Sequence, residues 1–257
     1  MLLDALAALK THLDNLILVG AQAVYHHTGS ADLVVAPMTT DADLAINVQG
    51  LAGSPEIGSL LRQSGFTPGP NPGHWVAVSS VAIDLMVVPH QAGIARSSAR
   101  AARISPHERL TARIAHGLEP ALVDNETVTL SSFQPADTRT FSLRVAGPAA
   151  LLTAKIIKIS ERLEQADQQS SRLKEKDALD VFRLLQAIET SELRCGFDRH
   201  AEDQHAAAAT AEAVDFLRKE AMAPHSRLPR LAALAMYGEP SVAPAFAALV
   251  NELLDAS

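Results

Sequence analysis

The sequence predicts an α+β protein in two parts: a mixed strand-and-helix portion over residues 1–147 and an all-helical portion over residues 148–257. Three observations predict it. In the first portion, short apolar runs of strand length (16–19, 41–48, 74–79 and 81–88) are separated by helical or turn-rich stretches. Gly147-Pro148 ends that alternation. Beyond it, apolar residues recur at helical spacing near 148–165, 173–188, 200–221, 227–237 and 241–254, with breaks at Gly196, Pro224 and Gly238-Glu239-Pro240.

Taken in order, the chain opens with a helical pattern near 2–13, whose early acid Asp4 and lack of a basic leader distinguish it from a signal peptide. Leu16-Ile17-Leu18-Val19 follows as a buried strand and ends at Gly20, where a helix over 21–27 begins. A strand that turns through glycine into a helix presents backbone N–H groups where phosphates can sit. After the strand at 41–48 come a helix near 54–64 and a loop dense in turn formers, Thr67-Pro68-Gly69-Pro70-Asn71-Pro72-Gly73. The runs 74–79 and 81–88 read as antiparallel neighbours joined at Ser79-Ser80. Ser105-Pro106-His107-Glu108 has capping-box spacing with proline at the first helical position, which predicts a helix over 106–116. Strands at 128–130 and 141–145 complete the first portion.

Composition narrows the class of protein. Apolar residues make up 47% of 257, enough for a packed core. The single Cys195 allows no internal disulfide, which fits a reducing compartment, and the expectation is cytoplasmic. No apolar stretch has the length of a membrane span. A formal net charge of −7 argues against indiscriminate nucleic-acid binding. Local charge differs: Arg96, Arg100, Arg103, Arg109 and Arg113 are interrupted by one acid, Glu108. Such a series is a solvated face or a contact for a phosphate-rich partner.

Asp41 and Asp43 are the most informative residues. Acid-x-acid triplets are common in a chain with 29 acidic residues, so the triplet carries little alone. Its setting is what matters. Side chains two positions apart on a strand share a face, so Asp41 and Asp43 stand side by side while Ala42 and Leu44 turn to the core. A third acid, Asp84, interrupts the apolar run at 81–88, and a carboxylate there is costly to bury without a partner. Three converging carboxylates suit two divalent ions about 3.5–4 Å apart, the arrangement of phosphoryl and nucleotidyl transfer. No histidine or cysteine pattern has zinc spacing: His26-His27 and His74-Trp75 lack it, and Trp75 reads as core or pocket lining. No glycine-rich loop ends in Lys-Ser/Thr, which excludes a P-loop.

The helical portion adds charge. Lys155, Lys158 and Arg162 fall on one stripe of their helix, and the next helix carries Asp177 and Asp180 on a shared face. Two readings stand: an interhelical ion-pair network, or a lysine that reaches nucleotide phosphates while an acid fixes its position.

The ordered set Leu18-Val19-Gly20-Ala21-Gln22-Ala23, Thr39-Thr40-Asp41-Ala42-Asp43-Leu44, Ile83-Asp84-Leu85, Ala154-Lys155-Ile156-Ile157-Lys158 and Lys176-Asp177-Ala178-Leu179-Asp180 resembles the AbiEii/AbiGii-type nucleotidyltransferases of the DNA polymerase β-like superfamily, across residues 15–190. The resemblance implies a mixed sheet with flanking helices followed by a helical C-terminal bundle. It implies transfer of a nucleoside monophosphate from a nucleoside triphosphate (NTP), with magnesium or manganese as cofactor. On this resemblance Asp41, Asp43 and Asp84 match the metal-binding and catalytic acids, and Lys155 the phosphate-contacting lysine. Gly20, Ala21, Thr39, Thr40, Lys158 and Asp177 match the nucleotide-binding positions. Ala21 stands where the family often has Gly or Ser, and Pro37 where it often has a basic residue. Family members include toxins with a cognate antitoxin, some of which modify tRNA. The arginine series makes RNA, a tRNA end, the expected acceptor, contacted by Arg100, Arg103, Arg109 and Arg113. The alternatives are a small-molecule nucleotidyltransferase and a non-catalytic nucleotide- or RNA-binding protein of the same fold.

Overall fold

The computed structural model describes residues 2–29, 41–78, 81–94, 99–132, 136–166 and 175–255. The expected α+β class is what it shows. The chain divides into two compact units, the first formed by residues 1–22, 38–116 and 125–146 and the second by 23–37, 117–124 and 147–257.

The first unit is built on an eight-stranded mixed sheet: β1 (Leu16–Val19), β2 (Asp41–Ile46), β3 (Phe66–Pro68), β4 (His74–Ala77), β5 (Ala82–Val87), β6 (Arg113–Ile114), β7 (Asn125–Ser131) and β8 (Thr140–Ala146). Their order is β3-β4-β5-β2-β1-β8-β7, with β6 also pairing β5. The central pairs alternate in direction: β5 lies parallel to β2, β2 antiparallel to β1, and β1 parallel to β8. All four residues of β1 are buried, as expected of a central strand covered on both faces.

One face of this sheet carries Leu18, Leu44, Ile83, Leu85 and Trp75, aligned across the strands by register and each no more than 2% exposed. Helices α1 (Leu2–Ala8) and α3 (Ile57–Gln63) belong to the same unit. α1 packs on both α3 and β2, which seals this core. Trp75 reads as core: its ring, with the Glu108 carboxylate, closes the space beside Gly58 of α3, and its Nε1–H donates to the Thr111 carbonyl at 3.2 Å. Burying an indole without that acceptor would strand a donor. α3 begins at Glu56, whose carboxylate accepts from the N–H groups of Gly58 and Ser59 at 3.0 and 2.6 Å.

Several local expectations are corrected. The opening helix stops at Ala8 and gives way to a 3-10 helix over Lys10–Asn15. No helix spans 106–116; turns lead instead to β6, an extra strand on β5. The residues that make the capping box are drawn into tertiary contacts. His107 Nδ1 accepts from Ile57 N–H, while Glu108 donates its N–H to Glu56 and pairs its carboxylate with Arg62 at 2.5 Å. A local cap cannot form once its donors and acceptors are used elsewhere.

The second unit is helical: α4 (Pro148–Ala166), α5 (Glu175–Ala187), α6 (Thr190–Ala201), α7 (Gln204–Glu220), α8 (Arg227–Ala235) and α9 (Val242–Asp255). The segment read as one helix near 200–221 belongs to α6 and α7, divided where Asp203 caps α7 by accepting from His205 and Ala206 N–H groups, both at 2.9 Å. Gly196 is no break. It lies inside α6, where a Cβ would come within 2.3 Å of Ala149 Cβ, so glycine allows α6 and α4 to approach closely. Among the described residues, no helix is long and apolar enough to cross a membrane.

Candidate metal centre

Helix α2 (Gly20–Thr28) starts directly at the end of β1, and Gly20 makes the turn with a φ of +71°. That left-handed conformation favours glycine. Space favours it too: a Cβ at Gly20 would lie 2.0 Å from Asp43 Oδ2 and 2.6 Å from Asp43 Cγ. The Asp43 carboxylate therefore rests against the backbone of the turn. Register explains how it arrives there, because Asp43 on β2 lies opposite Val19, the last residue of β1. Gln22, in the first turn of α2, donates from Nε2 to the Asp41 carbonyl at 2.9 Å and ties the helix start to the strand that carries the acids.

The third acid comes from the other side of β2. Parallel pairing of β2 with β5 sets Asp43 opposite Asp84, and partners in register share a face. Asp41, two residues before Asp43, faces the same way. Asp41 is exposed, whereas Asp43 and Asp84 are half-buried. One face of the sheet thus carries three carboxylates, and its opposite face carries the Trp75 core. Hard oxygen donors of this kind suit magnesium or manganese. Among the described residues, the three acids do not bring one oxygen each within 4.8 Å of one another.

His74 joins this face, although neither spacing nor residue pattern marks it for the site. β4 runs antiparallel to β5 with His74 opposite Asp84, and His74 Nδ1 lies 2.9 Å from Asp84 Oδ1. An ionised carboxylate only accepts, so Nδ1 carries the proton and donates. The signal was present in the hairpin at 74–88 but depended on its register.

Of the expected nucleotide-binding residues, Gly20 and Ala21 lie at the β1–α2 turn. Thr39 and Thr40 lie outside the described residues. Lys155, Lys158 and Asp177 belong to the second unit, where α4 and α5 pack together. Lys155 is 5% exposed, and its Nζ lies 2.6 Å from Asp180 and 3.4 Å from Asp177. Lys158 reaches Asp177 at 3.2 Å, and Arg162 pairs with the same carboxylate. Arg183 lies 3.4 Å from Asp180, donates to the Tyr25 hydroxyl and stacks over its ring. Burial alone would raise the Asp177 pKa, but the charges of Lys158, Lys155 and Arg162 outweigh it and hold the carboxyl below its ordinary value. The geometry within this unit is that of an interhelical ion-pair network.

Of the arginines expected to meet an acceptor, Arg100, Arg103 and Arg109 are exposed, and Arg113 is half-buried on β6 with its guanidinium 2.8 Å from Met86 Sδ. Arg100 and Arg113 approach through the sheet edge, where Ile114 N–H donates to the Arg100 carbonyl at 2.8 Å. Neither protein-family models, nor curated proteins, nor solved structures give a match to this chain.

Proposed function

We propose that this protein is a magnesium-dependent nucleotidyltransferase that moves a nucleoside monophosphate from an NTP to an acceptor hydroxyl. The observation that carries the reading is the common face of Asp41, Asp43 and Asp84, beside a strand that turns through Gly20 into α2. The acceptor oxygen attacks the α-phosphorus, the bond to the bridging oxygen of the β-phosphate breaks, and pyrophosphate leaves. Asp41 and Asp43 orient the triphosphate, and Asp84 receives the proton of the attacking hydroxyl. Asp41, Asp43 and Asp84 would hold magnesium, which when bound would supply neutralisation of the phosphate charge and a lower pKa for that hydroxyl. The reading rests on the first unit, since the Lys155 ammonium is engaged by Asp180 and Asp177.

RNA, and a tRNA end in particular, is the proposed acceptor, on the strength of the exposed Arg100, Arg103 and Arg109. A toxin role with a cognate antitoxin, in the cytoplasm, belongs to the same proposal. Incubation of the protein with radiolabelled NTPs, magnesium and total RNA tests it. Label should enter RNA with the parent and not with Asp43→Ala, and replacement of Arg100 and Arg103 by Glu should weaken RNA use far more than NTP use. Label entering RNA equally with Asp43→Ala would overturn the assignment. Label entering only small molecules would overturn the acceptor.

A further inference from the structure

His74 Nδ1 pairs with Asp84 Oδ1 at 2.9 Å, and the setting of this pair is built. The His74 backbone is pinned on both sides: its carbonyl accepts from Gly69 N–H at 2.7 Å, and its N–H donates to the Asn71 carbonyl at 3.2 Å. The ring is held as well. A Cβ on Gly69 would lie 2.6 Å from His74 Cδ2, so the imidazole occupies the space that any larger residue at 69 would fill. Asp84 and His74 side chains are 25% and 31% exposed, so the bond forms in a partly desolvated place where it competes less with water than a surface bond would. Among the described residues, the second Asp84 oxygen accepts no hydrogen bond.

From this geometry we infer that His74 is a positioning residue for Asp84: its Nδ1–H holds Oδ1 and so directs Oδ2 toward a divalent cation. An aspartate on a strand has a torsion about its Cβ–Cγ bond that is broad and roughly two-fold, and a single directional donor narrows it. A carboxylate already held needs less ordering when the ion arrives, which strengthens binding. The inference rests on the three acids forming a cation site, as proposed above.

Affinity for Mn²⁺, read from the free-ion signal in electron paramagnetic resonance on the intact protein without nucleotide, tests it. Four variants are compared with the parent: Asp84→Asn, His74→Phe, His74→Asn and Gly69→Ala. Phenylalanine keeps a ring against Gly69 and removes the donor, whereas asparagine keeps a donor near the place of Nδ1 and loses the ring. Loss of an outer hydrogen bond to a metal ligand weakens binding by about 10–100-fold. His74→Phe should show that loss, His74→Asn should stay near the parent, and Gly69→Ala should fall between them as the ring is displaced. A merely structural histidine would lower stability in both His74 variants alike and leave Mn²⁺ affinity unchanged. Parent-like affinity in His74→Phe, alongside weakened binding in Asp84→Asn, overturns the role of His74 and leaves the cation site standing. Absence of Mn²⁺ binding by the parent, or no effect of Asp84→Asn, overturns the cation site itself.

Discussion

Gly20→Ala tests whether the β1–α2 turn is shaped around the Asp43 carboxylate. Two penalties are expected. The first is conformational: an L residue at a φ of +71° costs about 1–2 kcal/mol relative to glycine. The second is steric, because the new methyl carbon would stand 2.0 Å from Asp43 Oδ2 and must drive that side chain aside. Forcing Asp43 off its rotamer adds about 0.5–1.5 kcal/mol, for a total near 1.5–3.5 kcal/mol. Gly65 supplies the control, with a φ of +83° and nothing within 4 Å of a built Cβ, so Gly65→Ala carries the first penalty alone. Urea unfolding of both variants gives the difference directly. Combining Gly20→Ala with Asp43→Gly should recover the steric part, since Asp43 Oδ2, Cγ and Cβ, at 2.0, 2.6 and 2.7 Å from the new methyl, are then all gone, and the double-mutant cycle isolates it. Nucleotidyl transfer by Gly20→Ala should fall sharply while Gly65→Ala transfers normally, because only the first moves an acid of the proposed site. Equal destabilisation of the two variants, with full transfer by Gly20→Ala, would refute the link between the turn and the acid.

Lys155→Met is expected to destabilise the protein by about 3 kcal/mol in urea unfolding, the low end for breaking a buried pair, because Arg183 still faces Asp180 and Lys158 still faces Asp177. If the folded variant instead keeps its stability and loses turnover by about 10²–10³, Lys155 is a phosphate contact and the network reading fails. Asp124 gives a pH dependence. Burial raises its pKa, but hydrogen bonds from His200 and Arg199 outweigh burial and hold the carboxyl below its ordinary value. A depressed carboxyl pKa stabilises the fold above the unfolded value, about 3.9, and that contribution is lost as pH falls through the lower folded value. Asp124→Asn should therefore be less stable than the parent at pH 7 by about 1.5–3 kcal/mol, with the gap closing below about pH 4. A gap independent of pH in acid unfolding would count against the carboxylate as its source.

What the sequence by itself determined is local. The change from mixed elements to helices at Gly147-Pro148, the strand 16–19 ending at Gly20, and the shared face of Asp41 and Asp43 follow from period and turn chemistry within a few residues. Gly196 and the Ser105–Glu108 segment misled because their local signals were overridden by partners distant in sequence: Ala149 for the first, and Glu56, Ile57 and Arg62 for the second. The meeting of Asp84 with Asp43 was decided only by the tertiary structure, which set β5 parallel to β2 in one register. His74 shows why such a meeting cannot be read from pattern. A two-residue turn at Ser79-Ser80 would pair Trp75 with Asp84 and send His74 to the opposite face, whereas the observed register pairs His74 with Asp84 and buries Trp75 on Ile83. Strand periodicity is two, so a slip of one residue exchanges the faces. The apolar demand of Trp75, 0% exposed with its N–H bonded to the Thr111 carbonyl, holds the register in which the histidine meets the acid.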